Sequence, residues 1–383
     1  MTIRIGIVGL SKSNGWAASG LAPPLYSEPL NAEYTLSALS TSSAASAHES
    51  AAHYSKVVGS EVRAYHGSTD AIAADDALDL VAVAVKAPAH REAVLPLLEK
   101  GQNVFVEWPL GKNLAETKEL TAKAKEKGVR TMVGLQGWQT PFVKRIREII
   151  AEGRIGAVMN VTWVAVKEPH RVPYWPPFVA SPFEYILDPS QGATLADIWL
   201  GHNFSVITRA LGPLVSLSAT GVIAIPTVKV GTSVSDPALK EVPATLPDQY
   251  SVSGVFAESG ALFTGSWRSL ALGAKSTEPT LLWFIDGSKG QLRVQIDPDS
   301  SEGLGGAFPH ISPPVALFVN GETISLEEEN AELGGNVGRA WAAYARGAEG
   351  EYPTFEDAHV LKQHIEAVKK SAEVGTRISV GDL

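Results

Sequence analysis

Short apolar runs alternate with helix-like segments over the first 135 residues of the chain. Runs rich in β-branched residues predict five buried strands, at residues 3–8, 34–39, 80–85, 104–106 and 131–135. Apolar residues near helical spacing predict three helices, at residues 44–56, 90–99 and 114–126. Strands that alternate with helices indicate βαβ units. The pattern therefore predicts an α/β protein whose residues 1–136 form a Rossmann domain with a parallel, doubly wound sheet.

The pattern changes after one more predicted helix at residues 142–152. A strand over residues 159–166 leads into a stretch crowded with prolines and aromatics. Alternating segments at residues 250–256, 261–267, 281–285 and 291–296, separated by glycine-containing turns, predict an antiparallel sheet. Two further helices, at residues 335–346 and 355–374, close the chain. Residues 137–383 are therefore predicted to form a second α/β domain with a large and mostly antiparallel sheet.

Composition excludes several classes of function. The chain has 383 residues with a formal net charge of −9, which gives no help in binding the phosphates of a nucleic acid. The absence of cysteine excludes disulfides, thiolate nucleophiles and cysteine-ligated zinc. The nine histidines lack the close spacing of a metal site, so no metal is predicted. The sequence shows neither a leader pattern nor a membrane-length apolar run, which predicts a cytoplasmic location.

The turn after the first strand is the candidate phosphate-binding loop. Of the three glycines in a G-x-G-x-x-G fingerprint, only Gly9 is present, because Ser11 and Asn14 replace the other two. Ser11 still allows backbone amides to approach a pyrophosphate, and Ser13 or Asn14 could cap the following helix. An ordinary strand–helix turn is the alternative. The candidate cofactor contacts in this loop are Gly9, Leu10, Ser11, Ser13, Asn14, Gly15 and Trp16.

The end of the second strand bears on the choice of dinucleotide. An acidic side chain there would bind the ribose hydroxyls of NAD and repel the 2′-phosphate of NADP. The chain instead has Ser40, Thr41 and Ser42, and it offers no arginine to bind the phosphate either. These small hydroxyl residues are compatible with both forms, so the predicted cofactor is NAD(P), with a slight preference for NADP.

A family resemblance rests on the segment Val106-Glu107-Trp108-Pro109 and on the order of the elements around it. The chain resembles the Gfo/Idh/MocA oxidoreductases over essentially its whole length. Several short segments, around Lys86–His90, Glu107, Gln136 and His202, are most similar to the fungal galactose-regulon repressor branch of that family. The resemblance implies a dinucleotide-binding Rossmann domain followed by a substrate domain, with Lys86, His90, Glu107, Trp108 and Gln136 as further cofactor contacts.

The candidate catalytic residues are His202, Trp108 and Lys86. Trp108 stands where the family has a lysine, and an indole can stack on nicotinamide or enclose an apolar substrate but cannot exchange a proton. Lys86, at a strand end, could supply the missing cation or be an ordinary surface lysine. The resemblance makes His202 the general acid or base, while the alternative is a satisfied helix residue. Asp197 points about 140° away from His202 on an ideal helix, so a paired carboxylate is doubtful.

These residues predict an NAD(P)-dependent oxidoreductase. It would transfer a hydride between nicotinamide and a small carbonyl, alcohol or imine substrate, and it would form a homodimer. The aromatics from Tyr174 to Phe178 could line a pocket for a planar substrate or could simply pack. The alternative function is a non-catalytic, dinucleotide-sensing transcriptional regulator that binds a protein partner, which the replacement of the lysine by Trp108 favours.

Overall fold

The computed structural model describes residues 2–13, 15–298, 308–311, 315–326 and 333–383. The chain divides into two compact units. The first comprises Met1–Gln139 and Glu329–His359, and the second comprises Thr140–Glu328 and Val360–Leu383. Among the described residues, no helix is long and apolar enough to cross a membrane. The cytoplasmic location stays a prediction.

The first unit contains a six-stranded parallel sheet with strand order β3-β2-β1-β4-β5-β6. Its strands are β1 (Ile3–Val8), β2 (Tyr34–Thr41), β3 (Arg63–His66), β4 (Leu80–Val83), β5 (Val104–Glu107) and β6 (Thr131–Gly134). This order is that of a dinucleotide-binding Rossmann sheet, in which ligands bind at the carboxyl ends of the strands. The predicted parallel, doubly wound sheet is confirmed.

The helices of the first unit start and stop at residues suited to those positions. They are α1 (Ala44–Val58), α2 (Asp70–Ala73), α3 (His90–Glu99), α4 (Leu114–Lys127) and α7 (Gly335–Ala345). The side chains of Ser43 and Asn113 accept hydrogen bonds from the backbone at the starts of α1 and α4. Gly59 and Gly128 end the same two helices in the left-handed conformation.

A segment late in the chain completes the first core. Trp341 on α7 is buried, packs at a tilt against Phe105 with ring centroids 4.9 Å apart, and donates from Nε1 to the Leu21 carbonyl at 3.0 Å. The Tyr34 hydroxyl donates to the Trp341 carbonyl at 2.7 Å. The sequence placed every residue after 136 in the second domain, whereas these contacts hold α7 in the first unit. Local patterning carries no signal for such a return of the chain.

The second unit is built on a nine-stranded sheet with order β17-β16-β15-β14-β7-β13-β12-β9-β18. Its strands are β7 (Val158–Lys167), β9 (Leu214–Val222), β12 (Gln249–Phe256), β13 (Leu262–Ser269), β14 (Leu281–Gly287), β15 (Gly290–Ile296), β16 (Ala316–Val319), β17 (Glu322–Ile324) and β18 (Ile378–Ser379). All neighbours in it are antiparallel except β7 and β13. The large, mostly antiparallel sheet predicted from sequence is therefore confirmed.

A small sheet and three helices accompany the large sheet. The small sheet joins β8 (Phe178–Ala180), β10 (Thr227–Gly231) and β11 (Lys240–Pro243) in the order β11-β10-β8. The helices are α5 (Pro141–Ala151), α6 (Gly201–Leu211) and α8 (Phe355–Val374). One face of the large sheet buries three tryptophans completely, namely Trp163, Trp267 and Trp283. Along their strands these tryptophans alternate with half-buried or exposed residues. That face holds the core of the second unit.

Candidate functional site

Gly9 forms the turn at the carboxyl end of β1. Its φ is +95°, and a Cβ placed there would lie 2.4 Å from the carbonyl oxygen of Ala84. Its N–H donates to the Ser40 carbonyl at 2.8 Å. Only glycine combines this backbone conformation with so close an approach, as the first position of a dinucleotide turn requires.

The rest of the loop differs from a regular strand–helix turn. The Ser11 hydroxyl lies 2.9 Å from that of Ser13, and both remain near the surface. A π-helical turn, Ala17–Leu21, follows with Trp16 at its N-cap and no capping side chain. Ser13 therefore does not cap this turn, whose first residue follows Trp16. Asn14 lies outside the described residues. Leu10 is fully buried in the core, and a Cβ on Gly15 would meet open space.

Three polar side chains meet at the carboxyl ends of β5 and β6. The Trp16 indole donates from Nε1 to Glu107 Oε1 at 2.7 Å, and Gln136 donates from Nε2 to Glu107 Oε2 at 3.4 Å. Burial raises the pKa of Glu107 to about 7, although these two donors and the Trp108 N–H oppose the rise. Trp16 itself is 39% exposed. Trp16 therefore hydrogen-bonds the loop after β1 to the weakly acidic carboxyl of Glu107, at the ligand-binding edge of the sheet.

The end of β2 carries only hydroxyl groups. Ser40 and Thr41 are buried, and the Thr41 hydroxyl donates to the Ser43 carbonyl at 3.2 Å. Ser42 is exposed. Among the described atoms, the buried Oγ of Ser40 has no hydrogen-bond partner.

The remaining predicted contacts of the first unit differ in exposure. Lys86 is exposed at the carboxyl side of β4, whereas Trp108 is 5% exposed. His90 is buried with Nδ1 2.7 Å from the Pro109 carbonyl and Nε2 3.0 Å from the Val85 carbonyl. Burial lowers the pKa of His90, against the effect of the two carbonyls. His90 thus links two loops of the sheet edge, and its contact with a cofactor stays a prediction.

The residues at this edge fit a bound dinucleotide. Gly9 permits the tight turn after β1, and Gly15 leaves the backbone of the loop open to close approach, as a pyrophosphate requires. Ser40 Oγ and Gln136 Oε1 are buried polar atoms without a partner in the described part of the chain. Buried polar groups normally have partners, so two such atoms at the ligand edge of a Rossmann sheet are consistent with a polar ligand. No group of metal-ligating side chains was found among the described residues.

In the second unit, His202 lies in the first turn of α6. It is 9% exposed, and burial lowers its pKa to about 3, so the ring is neutral at physiological pH. Asp197 does not orient it by an ion pair, because Asp197 Oδ1 accepts from Lys362 Nζ at 2.7 Å and from Lys369 Nζ at 2.9 Å. Burial alone would raise the pKa of Asp197, but these two ammonium groups hold it well below its usual range.

Two residues of the second unit gave no sequence signal. The His310 ring stacks on the His202 ring, with centroids 3.8 Å apart and an angle of 7° between the planes. Lys167, at the end of β7, is fully buried and donates from Nζ to the Pro176 carbonyl at 2.8 Å. Burial lowers the pKa of Lys167 to about 7, partly opposed by Asp248. A histidine far along the chain and a lysine at a strand end are not distinguishable from surface residues by pattern.

Family models match both halves of the chain. Residues 3–135 match the oxidoreductase family with an NAD-binding Rossmann fold (Gfo/Idh/MocA), and residues 141–296 match the C-terminal domain of Gal80p. The first unit therefore carries the NAD-binding Rossmann domain of this oxidoreductase family, and the resemblance inferred from the sequence is confirmed.

Individual relatives include both a dehydrogenase and a regulator. Dehydrogenase aclE of Aspergillus oryzae is 28% identical over 385 residues, which cover 97% of each chain. The galactose/lactose metabolism regulatory protein GAL80 of Saccharomyces cerevisiae is 24% identical over 431 residues, covering 100% of this chain and 95% of the relative. A crystal structure of a Gal80p super-repressor mutant from the same yeast matches with a TM-score of 0.84 at 22% identity, covering 100% of this chain and 99% of that one. This structural likeness shows the fold.

Proposed function

We propose that the protein is an NAD(P)-dependent oxidoreductase that transfers a hydride between nicotinamide and a small carbonyl, alcohol or imine. The carboxyl edge of the Rossmann sheet carries this proposal, because Gly9 forms its first turn and Trp16, Glu107 and Gln136 meet there, together with the match of residues 3–135 to an NAD-binding oxidoreductase family. The likeness to dehydrogenase aclE supports a catalytic role. The bound cofactor would supply the hydride, and the chain would bind it and position the substrate.

The loop residues would hold the cofactor through its phosphates. The backbone from Gly9 to Ser13, with Gly15, would approach the pyrophosphate, while Ser40 Oγ and Gln136 Oε1 would gain hydrogen-bond partners. The exposed Ser42 and its neighbours place no carboxylate where the 2′-phosphate of NADP would lie. These hydroxyl residues are compatible with both dinucleotides, and a slight preference for NADP is proposed. Trp108, Lys86 and His90 remain predicted contacts.

His202 would act on the substrate as a neutral imidazole. With a pKa of about 3, it is a poor acceptor of a proton from an alcohol at neutral pH. A neutral ring N–H would donate a hydrogen bond to a substrate carbonyl oxygen and, as that oxygen becomes an alkoxide, its proton, and the imidazolate left behind would recover a proton from water. The reductive direction is therefore the one that this histidine serves best.

A substrate screen tests the proposal. The wild-type protein is mixed with NADPH or NADH and a panel of aldehydes, ketones and cyclic imines, and loss of nicotinamide absorbance is followed. His202→Asn should lower kcat about 100-fold with an unchanged Kd for the dinucleotide. His53→Asn, at an exposed histidine of α1, serves as the matched control and should leave both unchanged. Dinucleotide binding without turnover of any substrate would contradict the catalytic role.

A second function, a dinucleotide-sensing regulator, is favoured by a separate observation. Residues 141–296 match the Gal80p C-terminal domain, and the relative GAL80 is named a regulatory protein. A sensor would bind the dinucleotide, stay inert to every substrate and bind a protein partner. In that case His202→Asn would leave partner binding intact, whereas an enzyme would lose turnover.

We also propose self-association through the large sheet. Met159 on β7 and Leu262 on the neighbouring β13 are 60% and 49% exposed, which leaves two large apolar side chains in solvent on adjacent strands. A homodimer would cover them. Sedimentation should show a dimer at micromolar concentration, and a monomer there would contradict this proposal.

A further inference from the structure

The face-to-face contact between His202 and His310 is the starting observation. His202 lies in the first turn of helix α6, and His310 lies in a short turn, Pro309–Ile311. Both rings are buried, at 9% and 3% exposure, and their planes are parallel to within 7°. A ring that contacts His202 across its whole face limits rotation of the imidazole about its side-chain bonds.

The stack continues away from His202 through two more rings. His310 packs edge-on against Phe308 at 5.5 Å, and Phe308 lies nearly parallel to Trp175, with centroids 6.2 Å apart. We refer to Trp175, Phe308 and His310 as the brace. All three are buried. The brace therefore forms an unbroken run of ring contacts that ends on the imidazole of His202.

The far end of the brace is held in an unusual conformation. Trp175 has a φ of +58°, which is rare for a bulky residue and costs conformational energy. Two hydrogen bonds fix it: Trp175 donates from Nε1 to the Ala193 carbonyl at 3.1 Å, and Lys167 donates to the adjacent Pro176 carbonyl. Such strain persists only where the surroundings impose it, and it is concentrated at functional sites.

The brace takes the place of the hydrogen bond that usually orients a catalytic histidine. In many enzymes a carboxylate or carbonyl fixes the ring through Nδ1. Here Nδ1 of His202 has no hydrogen-bond partner among the described residues. Its ring contacts the neutral His310 ring, and Asp197 offers it no ion pair because Asp197 is engaged by Lys362 and Lys369. Ring stacking is the contact that remains to define the plane of the imidazole.

We propose that His310 is a positioning residue, whose ring, supported by Phe308 and Trp175, fixes the plane of the His202 imidazole for proton exchange with the substrate. This inference rests on the role proposed above for His202. It requires a flat ring at position 310 rather than an ionisable one, because the two rings touch by their faces. Phenylalanine should therefore replace His310 well, and a non-planar side chain should not.

Three variants separate these requirements: His310→Phe keeps a flat ring, His310→Gln keeps size and polarity without a ring, and His310→Ala removes both. With the substrate found by the screen, His310→Gln and His310→Ala should lower kcat about tenfold to hundredfold with KM changed less than about threefold. His310→Phe should stay within about threefold of wild type. Calorimetry should give all variants the wild-type Kd for NADPH, which reports on the first unit. If His310→Ala fails to fold, His310→Gln decides the outcome.

Nitrogen NMR of the histidine rings in the dinucleotide-free protein provides a readout that needs no substrate. The His202 signals, assigned by their loss in His202→Asn, should keep their wild-type shifts in His310→Phe and move in His310→Gln. If the wild-type protein turns over nothing, the proposed function fails while this comparison still decides the positioning role. Unchanged His202 signals in His310→Gln, or equal impairment of His310→Phe and His310→Gln, would overturn the proposal.

Discussion

Replacing Glu107 by glutamine should remove a pH-dependent cost of folding. Burial raises the pKa of Glu107 from 4.5 to about 7. The folded state therefore binds more protons than the unfolded state between these values, so the free energy of unfolding falls as pH rises from about 4.5 to about 7. At about 1.4 kcal/mol per pKa unit the full effect is about 3 kcal/mol, and partial solvent access reduces it to about 2 kcal/mol.

The Glu107→Gln variant should keep the local hydrogen bonds. Trp16 can still donate to the amide oxygen, and rotation of the Gln136 amide would bring its unpartnered Oε1 to the new NH₂ group. In urea unfolding, the variant should gain about 2 kcal/mol on wild type between pH 4.5 and pH 8. Glu126→Gln is the control: Lys123 lowers the pKa of the exposed Glu126, so no slope should appear between pH 5 and pH 8. If the difference in unfolding free energy between Glu107→Gln and wild type did not vary with pH, this reasoning would be refuted.

Three further outcomes are expected. Gly9→Ala should destabilise the protein by at least about 2 kcal/mol in thermal unfolding, because the new Cβ meets the Ala84 carbonyl. The control Gly59→Ala, also at positive φ but in open space, should cost about 1 kcal/mol. Equal losses of stability in the two variants would contradict the close approach at Gly9. Ser42→Asp should weaken NADPH binding about tenfold or more in calorimetry while sparing NADH, and an equal effect on both would exclude a 2′-phosphate near this residue. Burial lowers the pKa of Lys167 to about 7, so the unfolded state binds more protons between pH 7 and pH 10 and wild-type stability should rise over that window. Urea unfolding of Lys167→Met should lack this rise, and an identical slope would show that burial does not lower the pKa of Lys167.

Elements with a regular apolar pattern were predictable from the sequence, since apolar runs mark buried strands and helical spacing marks the buried face of a helix. The strand β1 and the helices α3 and α8 begin and end at the predicted residues. β3 was missed because Arg63–His66 is a partly buried edge strand without an apolar run. The one-turn helix α2 is too short to show periodicity.

Residues of the candidate site could be predicted from the sequence only where they lie in a short sequence motif. Gly9 and Glu107 lie in such motifs, and the structure places both at the carboxyl edge of the sheet. The Trp16–Glu107 hydrogen bond and the His202–His310 stack join residues far apart in sequence. Neither leaves a periodic or compositional trace, because each arises only when the fold brings the partners together.

Calorimetric titration of the purified protein with NADPH and NADH tests the central claim most directly. At least one form should bind with one site per chain, and Gly9→Ala should abolish that binding while Gly59→Ala keeps it. Absence of binding to the folded wild-type protein, or full binding by a folded Gly9→Ala variant, would contradict a dinucleotide site at this turn.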